Sequence, residues 1–160
     1  MFNVTFVCLG NICRSPMAEA VFSRLLCERE LQHSFSVNSR ATSDCEEGNP
    51  VYPPALRELK ERGYEFSHRA KKLTLADIKN ADYILVMDKM NFSDVTELAG
   101  AHSENVHMLG YFLPEKTEIA DPWYTRDFKR AFNEIYAACN AFLDYVLKEH
   151  AEAFGYDKRH

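Results

Sequence analysis

Residues 2–16 read FNVTFVCLGNICRSP, and the fold turns on how that stretch divides. Phe2 to Leu9 is apolar and β-branched almost without interruption, the pattern of a strand covered on both faces. Ser15-Pro16 then predicts a helix start. Serine is a favoured N-cap, and proline at the first helical position gives up only an N–H that would be unpaired anyway. Ala18, Val21, Phe22, Leu25 and Leu26 follow at helical spacing. Residues 8–15 are therefore a tight strand-to-helix loop.

Outward from that unit the alternation continues. Phe35 to Ala41 predicts a second strand, and Pro53-Pro54 opens a helix carrying Leu56 and Leu59, with Gly63 free to make its left-handed end. Thr74 with Asp77 forms a capping pattern for another short helix. Tyr83 to Met87 is the clearest central strand, Phe92 to Ala99 reads as helix and Asn105 to Leu109 as a further strand. From Arg126 to about Lys148, residues such as Phe128, Phe132, Ile135, Phe142 and Val146 mark a long amphipathic helix. Strands alternating with helices imply right-handed crossovers between parallel strands. The predicted fold is α/β: a three-layer α/β/α sandwich around a four-stranded parallel sheet. Residues 1–150 are expected to form one domain, and residues 151–160 a polar, frayed tail. Ligands in such a sheet bind beyond the carboxyl ends of the strands, which is where residues 8–15 fall.

Composition narrows the function. With 160 residues and a net charge of −5, a general basic surface for nucleic acid is not expected, so an anionic ligand must be drawn in by donors gathered at one place. No apolar run approaches a membrane span and no basic-flanked leader precedes Val4, so neither membrane insertion nor export is expected. The five cysteines, Cys8, Cys13, Cys27, Cys45 and Cys139, lack CxxC spacing and read as reduced thiols of a cytoplasmic protein. Cys27 and Cys139 fall on helix apolar faces and are expected in the core. No zinc-ligand spacing is present, and neither a metal nor a cofactor is expected.

The loop itself carries the chemistry. Successive backbone N–H groups between a strand and a helix can curl inward around an anion, and the helix N-terminus adds its partial positive charge. Gly10 permits backbone angles closed to other residues, and Arg14 offers a planar fork to two phosphate oxygens at once. Those donors also favour the thiolate of Cys8 over the thiol, and a Ser15 hydroxyl is placed to donate to that sulfur. A Walker-type loop is excluded, because no Gly-Lys-Ser/Thr is present.

Cys8 to Pro16, Tyr83 to Asp88, Asp121-Pro122-Trp123-Tyr124 and His68-Arg69-Ala70 together make the chain recognisable. It resembles the low-molecular-weight protein tyrosine phosphatases over nearly its whole length. The resemblance implies that Cys8 attacks phosphorus to form a cysteinyl-phosphate, that Arg14 stabilises the equatorial oxygens, and that Asp121 protonates the leaving phenolate and then activates water. It further implies substrate contacts from Leu9, Gly10, Asn11, Ile12, Cys13, Ser15, Cys45, Trp123 and Tyr124, with Asn11, Ser39 and His68 bracing the loop. Trp123 and Tyr124 would wall a slot deep enough for a phosphorylated phenol. The substrates implied are phosphotyrosine-containing proteins and small aryl phosphates, with inorganic phosphate as product. By the same resemblance, Cys13 is a partner for a reversible disulfide with Cys8.

Two departures bear on substrate choice. Arg40 stands in Ser39-Arg40-Ala41-Thr42 where the family usually has a small residue, and either adds charge near the cleft or points to solvent. Cys45 stands where many members place an aromatic, which weakens the far wall unless Tyr52 swings in. Three other readings stay open. An arsenate reductase on the same scaffold needs resolving cysteines after the central strand, and only Cys139 lies beyond residue 45. A phosphoarginine phosphatase typically has threonine where this chain has Ile12. A non-catalytic phosphopeptide-binding module would be expected to lack Cys8 or Asp121.

Overall fold

A computed structural model of the chain describes residues 1–155. Four parallel strands, β1 (Phe2–Cys8), β2 (Phe35–Ala41), β3 (Tyr83–Val86) and β4 (Val106–Met108), lie in the order β2-β1-β3-β4. The register sets Val7 of β1 beside Arg40 on one side and Val86 on the other, so β1 is central and its end points Cys8 out of the middle of the sheet. Strand periodicity then divides the core. Val4, Phe6, Leu85 and Met87 face one layer, built from α1 (Arg14–Glu28), α2 (Pro53–Glu61) and α6 (Phe128–Glu149). Val7, Ile84 and Val86 face the other, under α3 (Leu75–Asn80) and α4 (Lys89–Ala99). The three-layer expectation holds.

Thr74 and Asp77 make the reciprocal capping box read from their spacing, and Gly63 adopts φ +83° just past α2. Other boundaries moved for identifiable reasons. Helix α1 starts at Arg14, and Ser15 is not its cap; that hydroxyl is committed elsewhere, and Cys13 occupies the cap position without a side-chain bond. Helix α4 starts at Lys89 rather than Phe92, because the Asp88 carboxylate accepts the Asn91 N–H at 2.8 Å. Strand β4 is confined to Val106–Met108, since Leu109–Phe112 tightens into a 3₁₀ turn. The expected polar tail begins instead as a helical turn, α7 (Ala151–Phe154), where Phe154 stacks on Phe35 at 5.7 Å and meets the tilted Phe2 ring at 5.4 Å; residues 156–160 of that expectation lie outside the described residues. Cys139 is buried as expected, whereas Cys27, one residue from the end of α1, is exposed.

Candidate active site

The loop from Cys8 to Arg14 closes at the carboxyl end of β1 and floors a cleft of about 210 Å³. Leu9, Gly10, Ile12, Cys13, Cys45, Trp123 and Tyr124 line it together with Cys8, Arg14 and Asp121. Residues that the chain separates by more than a hundred positions thus meet in one cleft. The backbone N–H groups of residues 10–13 donate to no backbone carbonyl among the described residues, which leaves them available to an anion. A larger hollow of about 480 Å³ lies between α4 and β4, but it contains no cysteine and no carboxylate.

Cys8 is buried at the floor. Its sulfur lies 3.0 Å from the Ser15 hydroxyl and accepts the Ser15 N–H at 3.4 Å. The Asn11 amide donates to that same hydroxyl at 2.7 Å, which occupies an oxygen lone pair and turns the Ser15 proton toward sulfur. Two hydrogen bonds thus converge on one sulfur.

The side chains of Asn11 and Ser15 turn away from the cleft, behind the loop. Asn11 adopts φ +58° and is fully buried behind the loop. Its amide donates to Ser15 and, at 3.0 Å, to Ser39; its oxygen accepts the His68 ring N–H at 2.8 Å and the Lys71 N–H at 3.1 Å. The left-handed residue of the loop is therefore Asn11 and not Gly10, where a Cβ would meet the Glu46 side chain only at an ordinary contact distance of 3.4 Å. Ser39 donates onward to Glu19 at 2.7 Å, and the second ring nitrogen of His68 faces the same carboxylate at 3.8 Å. Burial raises the Glu19 pKa against the opposing pull of Ser39 and Arg40; burial and then Arg40 lower that of His68. The 3.8 Å separation is too long for a hydrogen bond, so burial governs and His68 is neutral, with its proton on Nε2.

Arg14 is 2% exposed despite its charge. One guanidinium nitrogen donates to Asp88 at 2.8 Å and to the Ile119 carbonyl at 2.7 Å; the other stands 3.5 Å from Asp121. Burial alone would weaken its charge, but the Cys8 sulfur and the two carboxylates more than offset it and raise the pKa. Asp88 and Ile119 are functional neighbours that sequence reasoning left out of the site. Asp88 had a usable signal, an acid at the carboxyl end of a central strand; a backbone carbonyl 105 residues away has none. Glu19 and Glu46 were missed in the same way, each looking like an ordinary surface carboxylate.

Asp121 N-caps a short helix, α5 (Pro122–Thr125), through its own side chain, which accepts the Trp123 N–H at 3.0 Å. Trp123 is 43% exposed and Tyr124 75%, so both stand as a wall rather than packing under the loop. Tyr52 does not swing into the cleft; its ring backs Trp123 at 4.7 Å. Cys45 is exposed on the opposite rim. Arg40 pairs with Asp77 at 3.3 Å and donates to the Ser39 carbonyl, away from the cleft. Burial pushes the Cys13 thiol up, with Cys8 and Asp121 adding to the effect. Among the described residues no group of three or more His, Cys, Asp or Glu side chains converges as a metal site would.

Comparison with known proteins places the geometry in context. A family profile described as low molecular weight phosphotyrosine protein phosphatase matches residues 3–152. The Homo sapiens protein of that description is 38% identical over 148 residues, covering 89% of this chain and 94% of the relative. Among solved structures, YfkJ of Bacillus subtilis superposes with a TM-score of 0.90 at 31% identity, covering 94% of this chain and 97% of its own. A Drosophila arginine phosphatase superposes at 0.82 with 27% identity, covering 91% and 98%.

Proposed function

Because the chain belongs to the low molecular weight phosphotyrosine protein phosphatase family, we propose that its cleft hydrolyses phosphotyrosine by way of a phosphorylated Cys8. The observation that carries this reading is the convergence of three groups. A doubly hydrogen-bonded sulfur forms the floor, a buried guanidinium lies beside it, and a carboxylate stands 3.5 Å from that guanidinium at the mouth.

Phosphate entering the cleft meets the free N–H groups of the loop and the Arg14 fork, which hold its equatorial oxygens and neutralise the charge that spreads over them. The Cys8 thiolate attacks phosphorus opposite the ester oxygen. As the S–P bond forms the P–O bond breaks, its electron pair goes to the phenolate, and Asp121 gives that oxygen a proton. Asp121, now ionised, takes a proton from water; the hydroxide attacks phosphorus, the P–S bond breaks and inorganic phosphate leaves. The Ser15 hydroxyl and N–H stabilise the thiolate that returns.

Trp123 and Tyr124 offer aromatic faces to a substrate ring, and Ile12 adds an apolar contact where a phosphoguanidinium would need a polar one. These features favour phosphotyrosine over phosphoarginine. The five unpaired cysteines fit a reducing, cytoplasmic setting, with phosphotyrosine proteins as partners. Asp121→Ala tests the proton donor: kcat/KM should fall by roughly 10²–10⁴ for aryl phosphates with poor leaving groups. The loss should shrink as the phenolate becomes a better leaving group. An equal loss across the series would remove Asp121 from that role.

A further inference from the structure

The segment bearing Asp121 ends on an unusual residue. Arg126 has φ +62° and ψ 14°, a left-handed conformation that ordinary side chains disfavour, and its N–H closes α5 onto the Pro122 carbonyl at 2.9 Å. Such a conformation persists where surrounding contacts over-determine it. Here the guanidinium supplies them. One nitrogen donates to the Trp123 carbonyl at 3.3 Å and another to the Tyr52 hydroxyl at 3.2 Å, with the group 5.5 Å above both the Tyr52 and Phe128 rings.

Three further contacts turn this cluster into a link. The peptide N–H of Trp123 donates to Asp121, and the Trp123 ring rests on Tyr52. The Tyr52 N–H in turn donates to the carbonyl of Ile12, inside the phosphate loop, at 2.9 Å. We propose that Arg126 is a positioning residue for the proton donor: through Trp123 and Tyr52 it latches the Asp121 segment to the phosphate loop and fixes the distance between carboxyl and ester oxygen. Without the guanidinium, α5 is a single turn held by few bonds, free to carry Asp121 and the aromatic wall away from the cleft together. Proton transfer depends steeply on placement, whereas attack by Cys8 does not involve this segment.

The proposal rests on Asp121 being the donor, and the experiment separates the two. Arg126→Ala and Tyr52→Phe should each lower kcat/KM for phenyl phosphate by about three- to tenfold, a modest loss fitting an exposed guanidinium. For p-nitrophenyl phosphate, whose phenolate needs little help, each should cost severalfold less, leaving only the loss of ring contact that both substrates share. The double variant should be no worse than the worse single one, because both break the same link. Arg126→Gly, which relaxes the backbone but lacks the guanidinium, should behave like Arg126→Ala. In an Asp121→Ala background, Arg126→Ala should leave the leaving-group dependence unchanged. Equal losses on both substrates, additive losses, or recovery in Arg126→Gly would overturn the latch. If Asp121→Ala alone showed no leaving-group dependence, the proton-donor reading would fail first and the latch with it.

Discussion

Replacing Asn11 with alanine should cost more stability than any substitution in the cleft, although its side chain lies behind the loop. The side chain makes four hydrogen bonds inside a fully buried space, to Ser15, Ser39, His68 and Lys71. At about 1 kcal/mol each these sum to ~4 kcal/mol. Alanine at φ +58° adds about 1–2 kcal/mol of backbone strain that asparagine tolerates better. Ser39 and His68 keep their neighbour Glu19, so part of the first figure is retained. The expected net loss is about 3–4 kcal/mol, or a fall in Tm of about 10 °C for a domain of this size. Urea unfolding followed by far-UV circular dichroism measures the first, and a thermal scan the second. Asn11→Gly should recover about 1 kcal/mol relative to alanine, because glycine relieves the left-handed backbone without restoring a bond. A loss below about 1 kcal/mol for Asn11→Ala, or a glycine variant less stable than the alanine one, would refute the assignment of both terms.

Two further outcomes follow from the same geometry. Burial, then the positive charge of Arg40, holds the His68 pKa below 6.5, so the unfolded chain takes up this proton first; that share of stability is complete above about pH 6.5 and is lost as pH falls through the lower folded value. Glu19, held above 4.5 by burial, carries the opposite sign. His68→Gln should flatten the acid-side loss in urea unfolding measured across pH, and an unchanged slope would contradict a neutral buried histidine. At the cleft rim, Cys45→Trp should lower KM for phosphotyrosine peptides by about three- to tenfold, the worth of one added aromatic contact. Unchanged KM across several peptides would show that the far wall plays no part in gripping the ring.

The sheet was legible because its strands announce themselves: β1 and β2 are apolar or alternating runs bounded by clear turn and helix signals, and Ser15-Pro16 marks the following helix to within two residues. The nucleophile, the arginine and their loop were legible for the same reason, being local in sequence and fixed by one strand-to-helix turn. What escaped were features created only by tertiary approach. The Ser15 hydroxyl reads both as a helix cap and as a partner for the Cys8 sulfur, and only the second role survives the approach of β1 and α1. Gly10 invites the assignment of a left-handed turn, yet the positive φ falls on Asn11, fixed there by its buried hydrogen bonds. Asp88 and the Ile119 carbonyl meet Arg14 across 74 and 105 residues of chain, distances over which no periodic pattern carries information. Phe154 was hidden in a polar tail and is drawn into order by Phe2 and Phe35.

The most direct test of the account is to catch the phosphorus on its way through the cleft. Wild-type enzyme mixed with a ³²P-phosphotyrosine peptide and quenched within milliseconds should carry label on one residue, and peptide mapping should place it at Cys8. Cys8→Ser should bind the peptide and release no phosphate. Label on Cys13 or any other side chain, or steady hydrolysis by Cys8→Ser, would contradict a cysteinyl-phosphate built on Cys8.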